Sequence, residues 1–250
     1  MDFVWIYAKR FSSFYKSGQF NELDYSIRSV RKNYQGDTRC FVVGDDPGLD
    51  VIHLKAPPVV MKDEVYHQPQ HFDLMNKFEV ILNSDIKEEF VLMYDDIFML
   101  KPTPYEEITK TYGRCELDNV EEYIRTGRDG GTPYKKVWLM TYNYIQPYRN
   151  IKGLKTYDWE THLPRFMEKK HLKWLIDRLN LKHLPMIPTS LYSAHFGGET
   201  FLIEPGFQSD IWTHRPGMDF DPEFACHYMN IGDHVIVPEF IERMRDVFGK

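Results

Sequence analysis

Short apolar runs alternate with amphipathic stretches along the first hundred positions. Phe3 to Tyr7 is unbroken and rich in β-type residues, which predicts a buried strand. In Asn21 to Asn33 the residues Leu23, Ile27 and Val30, with Tyr34 just beyond, share one face of a helix. Asn21 is its natural cap, and Asp24 follows at the capping-box position. Cys40 to Val43 predicts a second buried strand, ended by the turn-forming run Gly44-Asp45-Asp46-Pro47-Gly48. Val51 to Leu54 predicts a third strand. Asp73 to Asn83 predicts a helix with Met75, Phe78, Ile81 and Leu82 inward and a cap at Asp73 or its neighbour. Phe90 to Tyr94 is the clearest buried strand, and it runs straight into Asp95 and Asp96. Strands alternating with helices predict an α/β sandwich around a mostly parallel sheet.

The second half is less regular. Residues 113 to 136 carry Gly113, Gly127, Gly130, Gly131 and Pro133 among many charges, which predicts a long mobile excursion. Phe166 to Leu181 predicts a helix with Leu172, Leu175, Ile176 and Leu179 inward, and Pro238 opens a last helix through Phe248. Neither an internal repeat nor a shift in composition divides the chain. The expectation is one domain over residues 1–250, with a donor- and metal-binding part in 1–101 and an acceptor-side part in 102–250.

Composition narrows the classes. With 250 residues, 42% hydrophobic and 27% charged, the chain can bury a full core and is neither fibrous nor disordered. A net charge of −6 gives no general attraction to nucleic acid or acidic lipid. Three cysteines without metal-ligand spacing offer no zinc site and suit a reducing compartment. The opening residues lack a basic stretch, and no run approaches a membrane span, so a cytoplasmic location is expected.

Candidate chemistry concentrates at three places. Asp95 and Asp96 follow a central apolar strand, where open α/β sheets bind ligands. Adjacent carboxylates there suit a hard divalent cation, Mg²⁺ or Mn²⁺, bridging to substrate phosphates; the alternative is a solvated turn. Asp158-Trp159-Glu160-Thr161-His162-Leu163-Pro164 packs acids and an imidazole around a tryptophan, types that serve acid–base catalysis. Equally, it reads as an acidic segment leading into a helix. Among late histidines, His195 precedes two glycines, His214 and His234 stand in polar runs, and His227 is the first choice as a third ligand beside Asp95 and Asp96. The nucleophile-elbow, P-loop and dinucleotide glycine motifs are all missing from the chain.

Four blocks, in order, resemble the Stealth family of sugar-phosphate transferases and, more widely, nucleotide-sugar transferases of the GT-A fold. Asn21-Glu22-Leu23-Asp24-Tyr25-Ser26-Ile27-Arg28-Ser29-Val30-Arg31-Lys32-Asn33 is similar to the first block, N-E-L-x-Y-S-L-R-S-I-x-K-N. Phe78-Glu79 through Tyr94-Asp95-Asp96-Ile97-Phe98-Met99-Leu100 resembles the second, with Tyr94 where the family carries asparagine. His162-Leu163-Pro164 is similar to a His-x-Pro block preceding a helix, and Ala225 to Asn230 resembles the fourth block least closely. The resemblance implies a GT-A-like sandwich with a nucleotide-sugar donor held through Mn²⁺ or Mg²⁺ on Asp95 and Asp96. It further implies Tyr7 bordering the base pocket, Arg28 near the nucleotide, and Asp158, Glu160 and His162 facing a hydroxyl acceptor. That acceptor would be a saccharide, a polysaccharide or a modified nucleic acid. The expected activity is glycosyl transfer. Alternatives are sugar-1-phosphate transfer to a polysaccharide, glycosylation of a hydroxymethylated DNA base, and non-catalytic nucleotide-sugar binding.

Overall fold

The computed structural model describes residues 1–9, 20–59, 69–127, 133–212, 218–232 and 235–249. In chain order the elements are β1 (Asp2–Tyr7), α1 (Glu22–Asn33), β2 (Arg39–Gly44), β3 (Ile52–Lys55), α2 (Pro69–Leu82), β4 (Glu89–Met93) and β5 (Ile97–Met99). They continue with α3 (Tyr105–Ile108), β6 (Thr111–Gly113), α4 (Val120–Gly127), α5 (Pro133–Ile151), β7 (Arg165–Glu168), α6 (Lys169–Arg178) and α7 (Pro188–Phe196). The chain closes with β8 (Thr200–Leu202), β9 (Gln208–Ile211), α8 (Asp221–Phe224), β10 (Tyr228–Ile231) and α9 (Pro238–Phe248).

The central sheet has the order β3-β2-β1-β4-β7. Its first four strands are mutually parallel, and β7 closes the edge antiparallel to β4. Both faces are covered, which is why the strands read as continuous apolar runs rather than alternating ones. Val4, Phe41, Val43, Phe90 and Leu92 enter one core with α2, α5, α6 and α7. Phe3, Trp5, Tyr7, Val42, Val91 and Met93 enter another under α1. A third cluster packs α8 and α9 on the small sheet β5-β10-β9.

Three expectations are corrected. Asp73 is not a cap: α2 begins at Pro69, so Asp73 lies inside it, buried and paired with Lys77 Nζ at 2.5 Å. The helix expected from Phe166 starts at Lys169, because Arg165–Glu168 instead pairs with Glu89–Leu92 as β7. The expected excursion over 113 to 136 contains the end of β6, all of α4 and the start of α5; its Gly130 and Gly131 lie outside the described residues. The central sheet takes its edge strand β7 from the second half of the chain.

Candidate functional site

Strand order reverses beside β1: β2 and β3 lie on one side, β4 and β7 on the other. In an open α/β sheet that reversal opens a crevice at the carboxyl ends of the strands. Tyr7 ends β1 there, while Tyr94, Asp95 and Asp96 follow β4. A hydrogen bond from Ile97 N to the Tyr94 carbonyl, 3.3 Å, closes a turn with both aspartates at its centre. Helix α1 bolts this turn down from behind. Ser26 Oγ accepts from Trp5 Nε1 at 2.9 Å and donates to the Ile97 carbonyl at 2.5 Å. Ser29 Oγ accepts from Met99 N, and Asn33 Nδ2 donates to the Met99 carbonyl. The polar positions of the first sequence block therefore hold β5, and with it the acidic turn.

The antiparallel register of β4 and β7 brings the second cluster alongside. Leu92 stands opposite Arg165, so the chain beyond Leu92 passes the segment before Arg165. His162 adopts a positive φ of 46° and turns Nδ1 to 3.5 Å from Asp96 Oδ2. Burial pulls the imidazole pKa down, but the neighbouring Asp96 carboxylate outweighs this and leaves it raised. The Tyr94 hydroxyl, buried and beside Glu160, is pushed up to about 12 and meets Thr189. Glu160 is partly exposed and accepts from Ser190 Oγ at 2.6 Å and Thr189 Oγ1 at 3.3 Å, at the start of α7. Arg165 reaches the Trp159 carbonyl at 2.6 Å and Ser193 Oγ at 2.5 Å, fixing the same segment.

Asp158 is different. It is wholly buried, accepting from Tyr123 and Tyr142 hydroxyls at 2.9 and 3.4 Å and from Glu160 N at 3.1 Å. A group so enclosed braces the segment from within the core.

The structure thus brings Asp95, Asp96, Glu160 and His162 to one place. It does not bring His227 there. Leu100 N bonds the His227 carbonyl at 2.9 Å at the far end of β5, so about 13 Å of strand separates it from Asp96. His227 Nε2 instead meets Thr103 Oγ1 at 2.9 Å, with Phe207 stacked on its ring. Arg28 also points elsewhere: it pairs with Asp24 at 2.7 Å and donates to the Gly249 carbonyl, on the α9 side. Tyr7 is buried in the core under α1. Its carbonyl lies 1.9 Å from where a Cβ on Gly44 would stand, so only glycine can end β2 there. His195 packs between Tyr148 and Tyr144, while His214 and His234 lie outside the described residues.

Among the described residues no three His, Cys, Asp or Glu side chains converge on a metal position. Two adjacent carboxylates in one turn fit a hard cation of the kind completed by substrate phosphate and water, not an all-protein cage. Sequence reading missed Thr189, Ser190 and Arg165. Nothing in their spacing marks them, since they reach the site through α7 and the β7 edge.

No protein-family model and no curated protein matches the chain. Solved structures do. A galactosyltransferase, LgtC, in complex with donor and acceptor sugar analogues is 10% identical, with a TM-score of 0.45 over 100% of this chain and 95% of that one. An active-site mutant of LgtC matches with the same identity, coverage and TM-score.

Proposed function

We propose that the chain is a glycosyltransferase moving a sugar from a nucleotide-sugar donor to a hydroxyl acceptor, with Mn²⁺ or Mg²⁺ as cofactor. The observation that carries this reading is the acidic turn Asp95-Asp96 at the reversal point of the sheet, with Glu160 and His162 beside it.

Asp95 and Asp96 would hold the cation together with the donor pyrophosphate. When bound, the ion neutralises charge gathering on the departing phosphate. Glu160, kept in place by Ser190 and Thr189, takes the acceptor hydroxyl's proton as that oxygen attacks the anomeric carbon. The bond from that carbon to the pyrophosphate oxygen breaks, and a nucleoside diphosphate leaves. His162 holds the Asp96 carboxylate in its orientation from the acceptor side, and Asp158 braces Glu160 through its backbone. Within the chain, residues 1–101 serve donor and cation, and most of the remainder serves the acceptor.

Screening nucleotide-sugars for slow hydrolysis, with and without chelator, tests this without knowledge of the acceptor. The expected result is chelator-sensitive release of a nucleoside diphosphate. Monophosphate as the sole nucleotide would mean cleavage between the phosphates, and so sugar-phosphate transfer. No hydrolysis of any donor would remove the reading.

A further inference from the structure

Beside Asp96 and His162 stands a large aromatic side chain that the proposed chemistry does not use. Trp212, immediately after β9, is 46% exposed. Its ring meets His162 edge-on, with centroids 5.4 Å apart and planes at 84°. Gly232 backs the indole: a Cβ there would come within 2.9 Å of Trp212 Cε3. The indole is thus seated against backbone while nearly half of it remains open to water. An exposed tryptophan gives up apolar burial, so its placement at a site calls for a ligand.

Its neighbours indicate which ligand. Along β9, Ser209 and Ile211 are buried while Gln208 and Asp210 are more exposed, and the two-residue period continues to Trp212. Asp210 pairs with Arg114 at 2.8 Å and accepts from Gln208 Nε2 at 2.6 Å. One strip therefore offers an aromatic face, a carboxylate, a guanidinium and an amide within reach of Asp96 and His162. A pyranose matches that set: its C–H face suits the negative face of an indole, and its hydroxyls need planar donors and acceptors together. A nucleic-acid strand matches less well, because the Asp210 carboxylate stands in the strip itself.

We infer that Trp212, with Asp210, Arg114 and Gln208, forms a subsite for a neutral pyranose ring. This deepens the transferase reading and rests on it for the sugar's role as a substrate. Binding itself is measurable without turnover.

The test is titration of wild type, Trp212→Ala, Trp212→Phe and Trp174→Ala, followed by ligand-detected NMR. Trp174 is a second exposed tryptophan, on α6, outside the site. The probes are methyl glucopyranosides and galactopyranosides, the matching uridine diphosphate sugars, and uridine diphosphate. Trp212→Ala should weaken sugar binding at least tenfold, Trp212→Phe should stay within about threefold of wild type, and Trp174→Ala should match wild type. A loss on free glycosides makes the ring the acceptor's. A loss on nucleotide-sugars alone, with uridine diphosphate unaffected, makes it the donor's. Equal binding of every probe by wild type and Trp212→Ala overturns the subsite, as does no saturable sugar binding by wild type or Trp212-dependent binding of a single-stranded oligonucleotide instead. Donor hydrolysis by the wild type is read separately, so failure of the subsite leaves the transferase reading standing, and failure of hydrolysis leaves the sugar titration intact.

Discussion

Asp158 and Glu160 are two residues apart, yet their surroundings set them to different work. Asp158 is buried under two tyrosine hydroxyls, whereas Glu160 is partly exposed and held by the Thr189 and Ser190 hydroxyls. Asp158→Ala should therefore act on stability, lowering the urea unfolding free energy by roughly 1–3 kcal/mol as buried hydroxyls lose their acceptor. Glu160→Gln keeps an acceptor for Ser190 but cannot take a proton. Turnover should fall about 100- to 10,000-fold while nucleotide affinity stays within roughly threefold. Normal turnover in Glu160→Gln would move the base elsewhere. A second pair shows why such assignments are not legible in a sequence. Asp73–Lys77 and Lys173–Asp177 have the same four-residue spacing, but the first pair is 4% and 2% exposed and the second 66% and 57%. Only the tertiary packing of α2 against β2 separates them. Asp73→Asn, which strands the Lys77 ammonium, should cost about 3–5 kcal/mol in chemical denaturation, while breaking the exposed pair should cost about 0.5 kcal/mol or less. Equal effects would contradict the burial.

Among the elements, those with a single strong period could be read from sequence, and those decided by partners could not. Strands β1, β2 and β4, helix α1 with its Asn21 cap, and α9 follow their apolar patterns to within a residue or so. The start of α6 does not, because pairing with β4 recruits Arg165–Glu168 into the sheet against a continuous helical pattern. Glycines in 113 to 136 suggested looseness, yet Gly113 closes β6 where a Cβ would lie 3.0 Å from Tyr157, and Gly127 lies within α4. At Gly113 the glycine serves close approach. Helix α7 carries His195 in its last turn, its imidazole pKa pulled down to about 4 by burial and by the charges of Lys152 and Arg149. The unfolded chain takes up this proton below about pH 6.5, but the folded chain resists until about pH 4. The contribution is therefore constant above pH 6.5, declines as pH falls through that window, and is lost below it. Allowing for partial exposure, it amounts to about 1–2 kcal/mol. Urea titrations from pH 7.5 to 4.5 should show wild type losing that much more stability than His195→Phe. Parallel losses would contradict the assignment.

On the scale of the whole molecule, the sheet order places the end of β1 and the turn after β4 on either side of one crevice, and β7 brings the segment Asp158 to His162 to it. That convergence was partly legible: an acidic pair after a central apolar strand stands where open α/β sheets bind ligands. The distance from His227 to that pair was not legible, because it depends on β10 lying antiparallel to β5 with His227 beside Leu100. No described helix is long and apolar enough to cross a membrane. In the transferase reading, Asp95 and Asp96 hold a nucleoside diphosphate through a divalent cation. Thermal unfolding of wild type, Asp95→Ala and Asp96→Ala, with uridine and guanosine diphosphates in the presence and absence of Mn²⁺, tests it most directly. A ligand at about 100 times its Kd adds about 2.7 kcal/mol to the native state, a rise of several degrees. The expected result is a Mn²⁺-dependent rise in wild type that disappears in both variants while their ligand-free unfolding remains cooperative. A rise of the same size in all three proteins would contradict it.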